Sequence, residues 1–114
     1  MLFPSNDIGS APKERFYIAM QRAVPPVGSA RNEYDIYAGL AERLGFQEAH
    51  TEGRDEMGWL RHMYDVARQK ASRKQQDMPD FDSFWSAGYI EFAANERPKN
   101  LFQDFREEIG RAHV

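Results

Sequence analysis

Residues Arg15–Val24 are the feature that most constrains this chain. Phe16, Ile18 and Met20 alternate with Tyr17, Ala19 and Gln21 before the run ends at Pro25-Pro26, which is the two-residue period of a β-strand. Both alternating faces are largely apolar, so the strand is expected to lie buried, or at an edge, against something larger. A lone strand is not stable in water. No second strand of comparable strength occurs nearby, and Tyr89–Phe92 offers at most a brief one. Met1–Lys13, with Pro4, Gly9 and Pro12 among small polar residues, reads as an ordered loop or tail rather than an element. The pattern asks for partners that the sequence does not supply.

The rest of the chain reads as helical. Asn32 is a good N-cap because its side-chain oxygen can accept a free backbone N–H. Glu33 and Asp35 then put negative charge in the first turn, where the helix dipole favours it. Ile36, Leu40 and Leu44 follow at four-residue spacing, Tyr37 and Ala41 widen the stripe, and Gly45 supplies the stop. A second helix is expected over about Asp55–Ala71, with Met57, Leu60, Met63, Tyr64 and Ala67 on one stripe and Trp59 beside it. Gly58 weakens its first turns. Arg68, Lys70, Arg73 and Lys74 cluster at its end. They make either an anion site or, as the ordinary reading, a solvated terminus whose cations complement the dipole. After a polar linker at Ser72–Asp77, Asp80 can cap a short helix carrying Phe81, Phe84 and Trp85, with Gly88 as its stop. Phe102 and Phe105 read as anchors on some apolar surface.

Composition narrows the function. A chain of 114 residues with 41% hydrophobic and 13% aromatic residues suits one small packed domain. Its formal charge of −3 argues against a nucleic-acid or anionic-membrane surface, which needs a basic excess. No apolar run is long enough to span or insert into a bilayer, and the first residues lack the basic and apolar regions of a signal peptide. With no cysteine, thiolate chemistry and cysteine metal sites are excluded.

No catalytic constellation emerges. His50, His62 and His113 lack metal-ligand spacing, and the position four after His62 is Val66. Gly9-Ser10 and Gly28-Ser29 sit in neither a nucleophile elbow nor a phosphate loop. Asp55-Glu56 and Glu107-Glu108 are merely adjacent, whereas acid–base catalysis needs carboxylates whose environments push their pKa values apart.

Three stretches, taken together and in order, carry a resemblance. The first is Asn6-Asp7-Ile8-Gly9 followed by Tyr17-Ile18-Ala19-Met20-Gln21-Arg22-Ala23-Val24-Pro25-Pro26-Val27-Gly28. The second is Ala30-Arg31-Asn32-Glu33-Tyr34-Asp35-Ile36-Tyr37, running on to Leu40-Ala41-Glu42-Arg43-Leu44-Gly45. The third is Thr51-Glu52-Gly53-Arg54, then Trp59-Leu60, then Pro79-Asp80-Phe81 with Phe84-Trp85. Each motif is weak alone; their order and spacing over Asn6–Phe105 are fairly specific. The chain resembles the part of dimethyl sulfoxide, trimethylamine N-oxide and biotin sulfoxide reductases that precedes the C-terminal barrel domain.

The resemblance implies a much longer parent that binds molybdenum between two molybdopterin guanine dinucleotides and removes an oxygen atom from an S-oxide or N-oxide. The cofactor carries the hard chemistry in such enzymes. The family's molybdenum ligand lies upstream of this region, so the chain alone is expected to bind neither metal nor pterin. Asn6 and Asp7 close a segment that enters from the cofactor-binding domain, which makes them the cofactor-binding candidates. Their ordinary role is to cap a turn. The expected fold is mainly α with little β. It comprises two main helices, a short helix and one or two short strands, a fragment of a larger α/β molybdopterin-binding domain.

Residues 1–107 are accordingly expected to be an incomplete piece whose partner is the remainder of its own chain. The two main helices should pack on each other and leave Phe81, Phe84, Trp85, Phe102 and Phe105 partly exposed. The rival reading is a free-standing helical interaction module, and a closed core of all those aromatics with the strand would defeat the fragment reading in its favour. The sequence departs from the family at both ends. Before Asn6 stands Met-Leu-Phe-Pro-Ser, where the family has a strand leading into a Thr-rich, Glu-Arg run. Glu108–Val114 reads as the translation of a widely used sequencing adapter. The compartment, periplasm or cytoplasm of a bacterium, is left open.

Overall fold

The structure, a computed structural model, describes residues 5–11 and 14–94 together with Phe102 and Phe105. Among these residues the elements run β1 (Asp7–Gly9), β2 (Phe16–Met20), α1 (Glu33–Arg43), α2 (Gln47–Thr51), α3 (Glu56–Arg73), α4 (Phe81–Ala87) and β3 (Tyr89–Glu91). The fold is mainly helical with one small antiparallel sheet, as the sequence pattern predicts.

The central strand is the one that the alternation marks, and it has two partners. β2 pairs on one side with β1, Ile8 opposite Ala19, and on the other with β3, Tyr17 opposite Ile90. The second partner was expected; the first corrects the reading of Met1–Lys13 as loop. Three residues containing Asp7 and Gly9 carry too little period and too little β preference to be seen alone. The pairing with β2 is what makes β1 a strand. Gly9 also has a local reason: a Cβ there would come within 3.0 Å of the Met20 sulfur across the ladder.

Each main helix starts where its capping residue stands. Asn32, Asp55 and Asp80 accept backbone N–H groups from Tyr34, Gly58 and Ser83 respectively. Gly45 and Gly88 supply the left-handed backbone (φ 81° and 87°) that lets the chain turn away after α1 and α4. Gly58 costs helix propensity, but a Cβ there would press to 3.0 Å from the Asp55 carboxylate that caps the same turn. α2, one turn and a half at Gln47–Thr51, was not foreseen; it has no side-chain cap and no buried residue.

The core lies between α3, α4 and one face of the sheet. Leu60, Tyr64, Ala71, Met78, Phe81 and Phe84 are buried, and Ile8, Tyr17, Ala19 and Ile90 pack onto them from the sheet. Tyr64 and Phe84 stack at 4.7 Å between ring centroids, with Phe81 edge-on to both. Such pairs add to the large area that each ring buries. Along α3 the buried positions are Leu60, Tyr64 and Ala71, with Met57 and Ala67 beside them, whereas Met63 faces solvent.

Two expectations about packing fail. Phe81 and Phe84 are among the most buried residues of the chain, and of the five aromatics only Phe102 and Phe105 are strongly exposed. Phe81 and Phe84 instead close a core with Tyr64 of α3 and the inner side chains of the sheet. Nor do the stripes of α1 and α3 pack together. α1 buries Ala41 and half-buries Tyr34 and Ala38, which share one face at helical spacing, and leaves Ile36, Leu40 and Leu44 at the surface. No helix of the described residues is long and apolar enough to cross a membrane.

Candidate functional site

The polar residues that hold the pieces together converge on Glu56, in the first turn of α3. One carboxylate oxygen accepts the backbone N–H of Asn6, just before β1, and the other accepts the side-chain N–H of Asn32. Asn32 is 9% exposed, and its own oxygen accepts the Tyr34 N–H at 2.9 Å. Both functions of that amide are therefore used, one to start α1 and one to bind it to α3. Beside this joint the Tyr34 hydroxyl donates to the Arg54 carbonyl and accepts from the Trp59 indole N–H at 3.1 Å. The Arg54 guanidinium lies 4.7 Å over the Trp59 ring and pairs with Glu52 at 2.6 Å. His50 stacks on Tyr34.

The two cofactor-binding candidates, Asn6 and Asp7, sit at this joint or next to it, and each side chain has a local partner. The Asn6 side-chain oxygen accepts the Arg22 N–H at 2.9 Å, and Asp7 accepts the N–H of Ile8 at 2.7 Å. Asn6 thus ties the entry of β1 to the exit of β2, while the exposed Asp7 serves its own backbone. The sequence reading dismissed Asp55-Glu56 as mere neighbours. Asp55 is the cap of α3 and Glu56 is the joint, and no spacing rule reveals that Glu56 meets residues 50 and 24 positions away.

Elsewhere the ionisable groups do structural work. Burial pushes the Tyr64 phenol up to about 12, and its hydroxyl donates to the Pro79 carbonyl at 2.9 Å. Backbone and side-chain hydrogen bonds from Ser83 hold Asp80 below the usual carboxylate range, as befits an N-cap carboxylate. The hydrogen bond from Arg61 to Asp82, 2.7 Å long, raises the already high pKa of the guanidinium. Of the basic cluster at the end of α3, Arg68 donates to the Met78 carbonyl at 3.0 Å, and Lys70 and Lys74 line an open cleft of about 570 Å³ with Arg15, Tyr17 and Phe92.

Chemically, the Glu56 joint is a carboxylate that accepts from two donors of its own chain. His62 lies edge-on to Trp59 at the surface, and His113 falls outside the described residues. Among the described residues no group of three or more His, Asp or Glu side chains could hold a metal.

No family model matches the chain. It is 44% identical over 109 residues, 93% of its length, to the dimethyl sulfoxide/trimethylamine N-oxide reductase of Cereibacter sphaeroides. It is 40% identical over 106 residues to the biotin sulfoxide reductase of the same organism, and 37% identical over 108 residues to the trimethylamine-N-oxide reductase of Pasteurella multocida. The chain spans 13%, 14% and 13% of the length of these relatives respectively.

Proposed function

We infer that this chain, which over the segment it spans belongs to the family of dimethyl sulfoxide, trimethylamine N-oxide and biotin sulfoxide reductases, is one segment of such a reductase. The parent would take an S-oxide or N-oxide, two electrons and two protons, and release the sulfide or amine and water. Molybdenum held by two molybdopterin guanine dinucleotides is the group that the resemblance implies for this reaction. No step of the reaction is placed in this chain, and the chain alone is proposed to be inactive. Its contribution is architectural: the Glu56 joint fixes the run through Asn6 and Asp7 against α1 and α3.

The observation that carries this reading is 40–44% identity extending over 92–93% of the chain to two reductases of related substrate class. A free-standing interaction module gains support from the closed Phe81–Phe84 core, but it does not account for identity over the whole span. The test is replacement. The matching segment of the Cereibacter sphaeroides dimethyl sulfoxide/trimethylamine N-oxide reductase is exchanged for residues 5–107 of this chain. The chimera is then assayed for oxide-dependent oxidation of a reduced dye, with dimethyl sulfoxide, trimethylamine N-oxide and biotin sulfoxide in parallel. Activity within about tenfold of the parent is expected. A soluble chimera with no activity towards any oxide refutes the reading.

A further inference from the structure

The core takes nothing from residues 20–56. Among the described residues, its members and the partly buried hydrophobics packed on them come from the sheet, α3, α4 and the segments beside these, and none from α1 or α2. What α1 turns inward is small or polar: Tyr34, Ala38 and Ala41, behind the Asn32 cap. α1 and α2 are instead tied to each other. The Phe46 N–H donates to the Ala41 carbonyl at 3.0 Å where the chain turns between them, and His50 of α2 stacks on Tyr34 of α1 with ring centroids 6.4 Å apart. The pair meets the start of α3 through hydrogen bonds. The Asn32 amide donates to Glu56, the Tyr34 hydroxyl donates to the Arg54 carbonyl, and the Trp59 indole donates to the Tyr34 hydroxyl at 3.1 Å. The chain enters the pair through residues 22–31, where Val27 is 80% exposed and Gly28 has φ 61°. It leaves through Glu52 and Gly53, at φ 49° and 71°. Hinges are a few loop or element-terminal residues of this kind, which absorb a change of backbone angles.

We propose that α1 and α2, residues 32–52, form a hinged arm that undocks from the chain as one unit while the core of α3, α4 and the sheet stays folded. The magnitudes favour this order of events. Water competes for the same donors and acceptors, so each hydrogen bond shifts the docking equilibrium by only about two- to tenfold. Three of them give a docking constant on the order of 10 to 1,000. Small domains that unfold as a whole are held by constants of roughly 10³–10⁸, and the stacked rings of Tyr64, Phe81 and Phe84 belong to the part that stays. α1 has 11 residues, and a helix shorter than about 12–15 residues is marginal in water without a neighbour. Undocking therefore melts α1 and leaves its amides open to exchange. The arm is a property of this chain and does not depend on the reductase reading.

The experiment is native-state amide hydrogen exchange on the 114-residue chain and on Tyr34→Phe, at several low urea concentrations. Phenylalanine keeps the ring that stacks on His50 and removes both bonds of the hydroxyl. Glu56 is left intact because it also holds Asn6 at the entry to β1. The amides of Ile36–Leu44 should exchange through one common opening, at least about tenfold more frequent than that of Leu60–Ala71. Urea should promote that opening more weakly than it promotes the opening of α3, because less surface is exposed. Tyr34→Phe should raise exchange about five- to tenfold at every one of the α1 amides and leave Leu60–Ala71 within about twofold. Four results overturn the proposal. α1 and α3 could share one opening and one urea dependence, or α1 could be unprotected in the unsubstituted chain. Exchange could instead be graded inward from the ends of α1 and indifferent to Tyr34→Phe, which is fraying rather than undocking. Lastly, Tyr34→Phe could strip protection from α3 as well, which makes the arm part of the core.

Discussion

Replacing Glu56 tests whether the three pieces of this chain are held by one carboxylate. Its two oxygens accept from two donors, the Asn6 backbone and the Asn32 amide, and neither donor can become an acceptor without another bond breaking. Glutamine is therefore not a neutral substitute. One of its terminal atoms is an NH₂ group, so whichever way the amide turns, one donor faces another donor. A hydrogen bond to a charged group is worth about 1.5–3 kcal/mol, and a stranded donor costs about 1–3 kcal/mol when buried. The site is only partly buried, so the lower half of those ranges applies. Glu56→Gln should then cost about 1.5–2 kcal/mol and Glu56→Ala about 2–4 kcal/mol. At roughly 4–8 °C per kcal/mol for a small domain, Glu56→Gln lowers the thermal midpoint by about 6–16 °C. Urea unfolding followed by circular dichroism measures both variants. A double-mutant cycle with Asn32→Ala separates the joint from the cap, because that variant alone also loses the Tyr34 bond. Coupling of at least about 0.5 kcal/mol is expected for residues in contact. Additive effects within 0.3 kcal/mol, or a Glu56→Gln loss below about 0.5 kcal/mol, would refute the joint.

Three further outcomes are expected. The Tyr64 phenol is raised to about 12, so its contribution is fully present below the ordinary value near 10 and is lost as pH rises through 12. Stability should fall by up to about 2–3 kcal/mol over that window, and Tyr64→Phe, losing the Pro79 bond, should remove this part of the slope in urea titrations at pH 9 to 12. Phe84, 0% exposed, should cost about 3–5 kcal/mol as Phe84→Ala, seen as loss of near-ultraviolet circular dichroism; a loss under 1 kcal/mol would mean that the ring stack is not the core. Deleting residues 108–114, which read as adapter sequence and lie outside the described residues, should leave the thermal midpoint unchanged within error, and a drop of several degrees contradicts that origin.

What the sequence reveals about the fold follows from how local each signal is. Asn32, Asp55 and Asp80 mark helix starts because a capping bond reaches only two or three residues. Gly45 and Gly88 mark the turns that end α1 and α4 for the same reason, through their own φ angles. β2 is legible because five residues suffice to show its period. β1 is not, because its three residues become a strand only through Ile8 meeting Ala19. α2 is not, because a helix of five residues with no cap and no buried side chain leaves no stripe. The site is less legible still: Glu56 acts on Asn6 across 50 positions, a relation that no motif length spans.

The error over α1 has a different source. A stripe at four-residue spacing states that a face is apolar, not which surface meets it. Ile36, Leu40 and Leu44 form the more hydrophobic row, so a rule that sends the strongest stripe inward aims them at α3. In this chain the weaker row of Tyr34, Ala38 and Ala41 turns inward instead, because Tyr34 must reach both the Arg54 carbonyl and the Trp59 indole. Small residues at 38 and 41 then allow close approach, and the large residues are left outward. Spacing alone therefore does not say which of two apolar rows a helix turns inward.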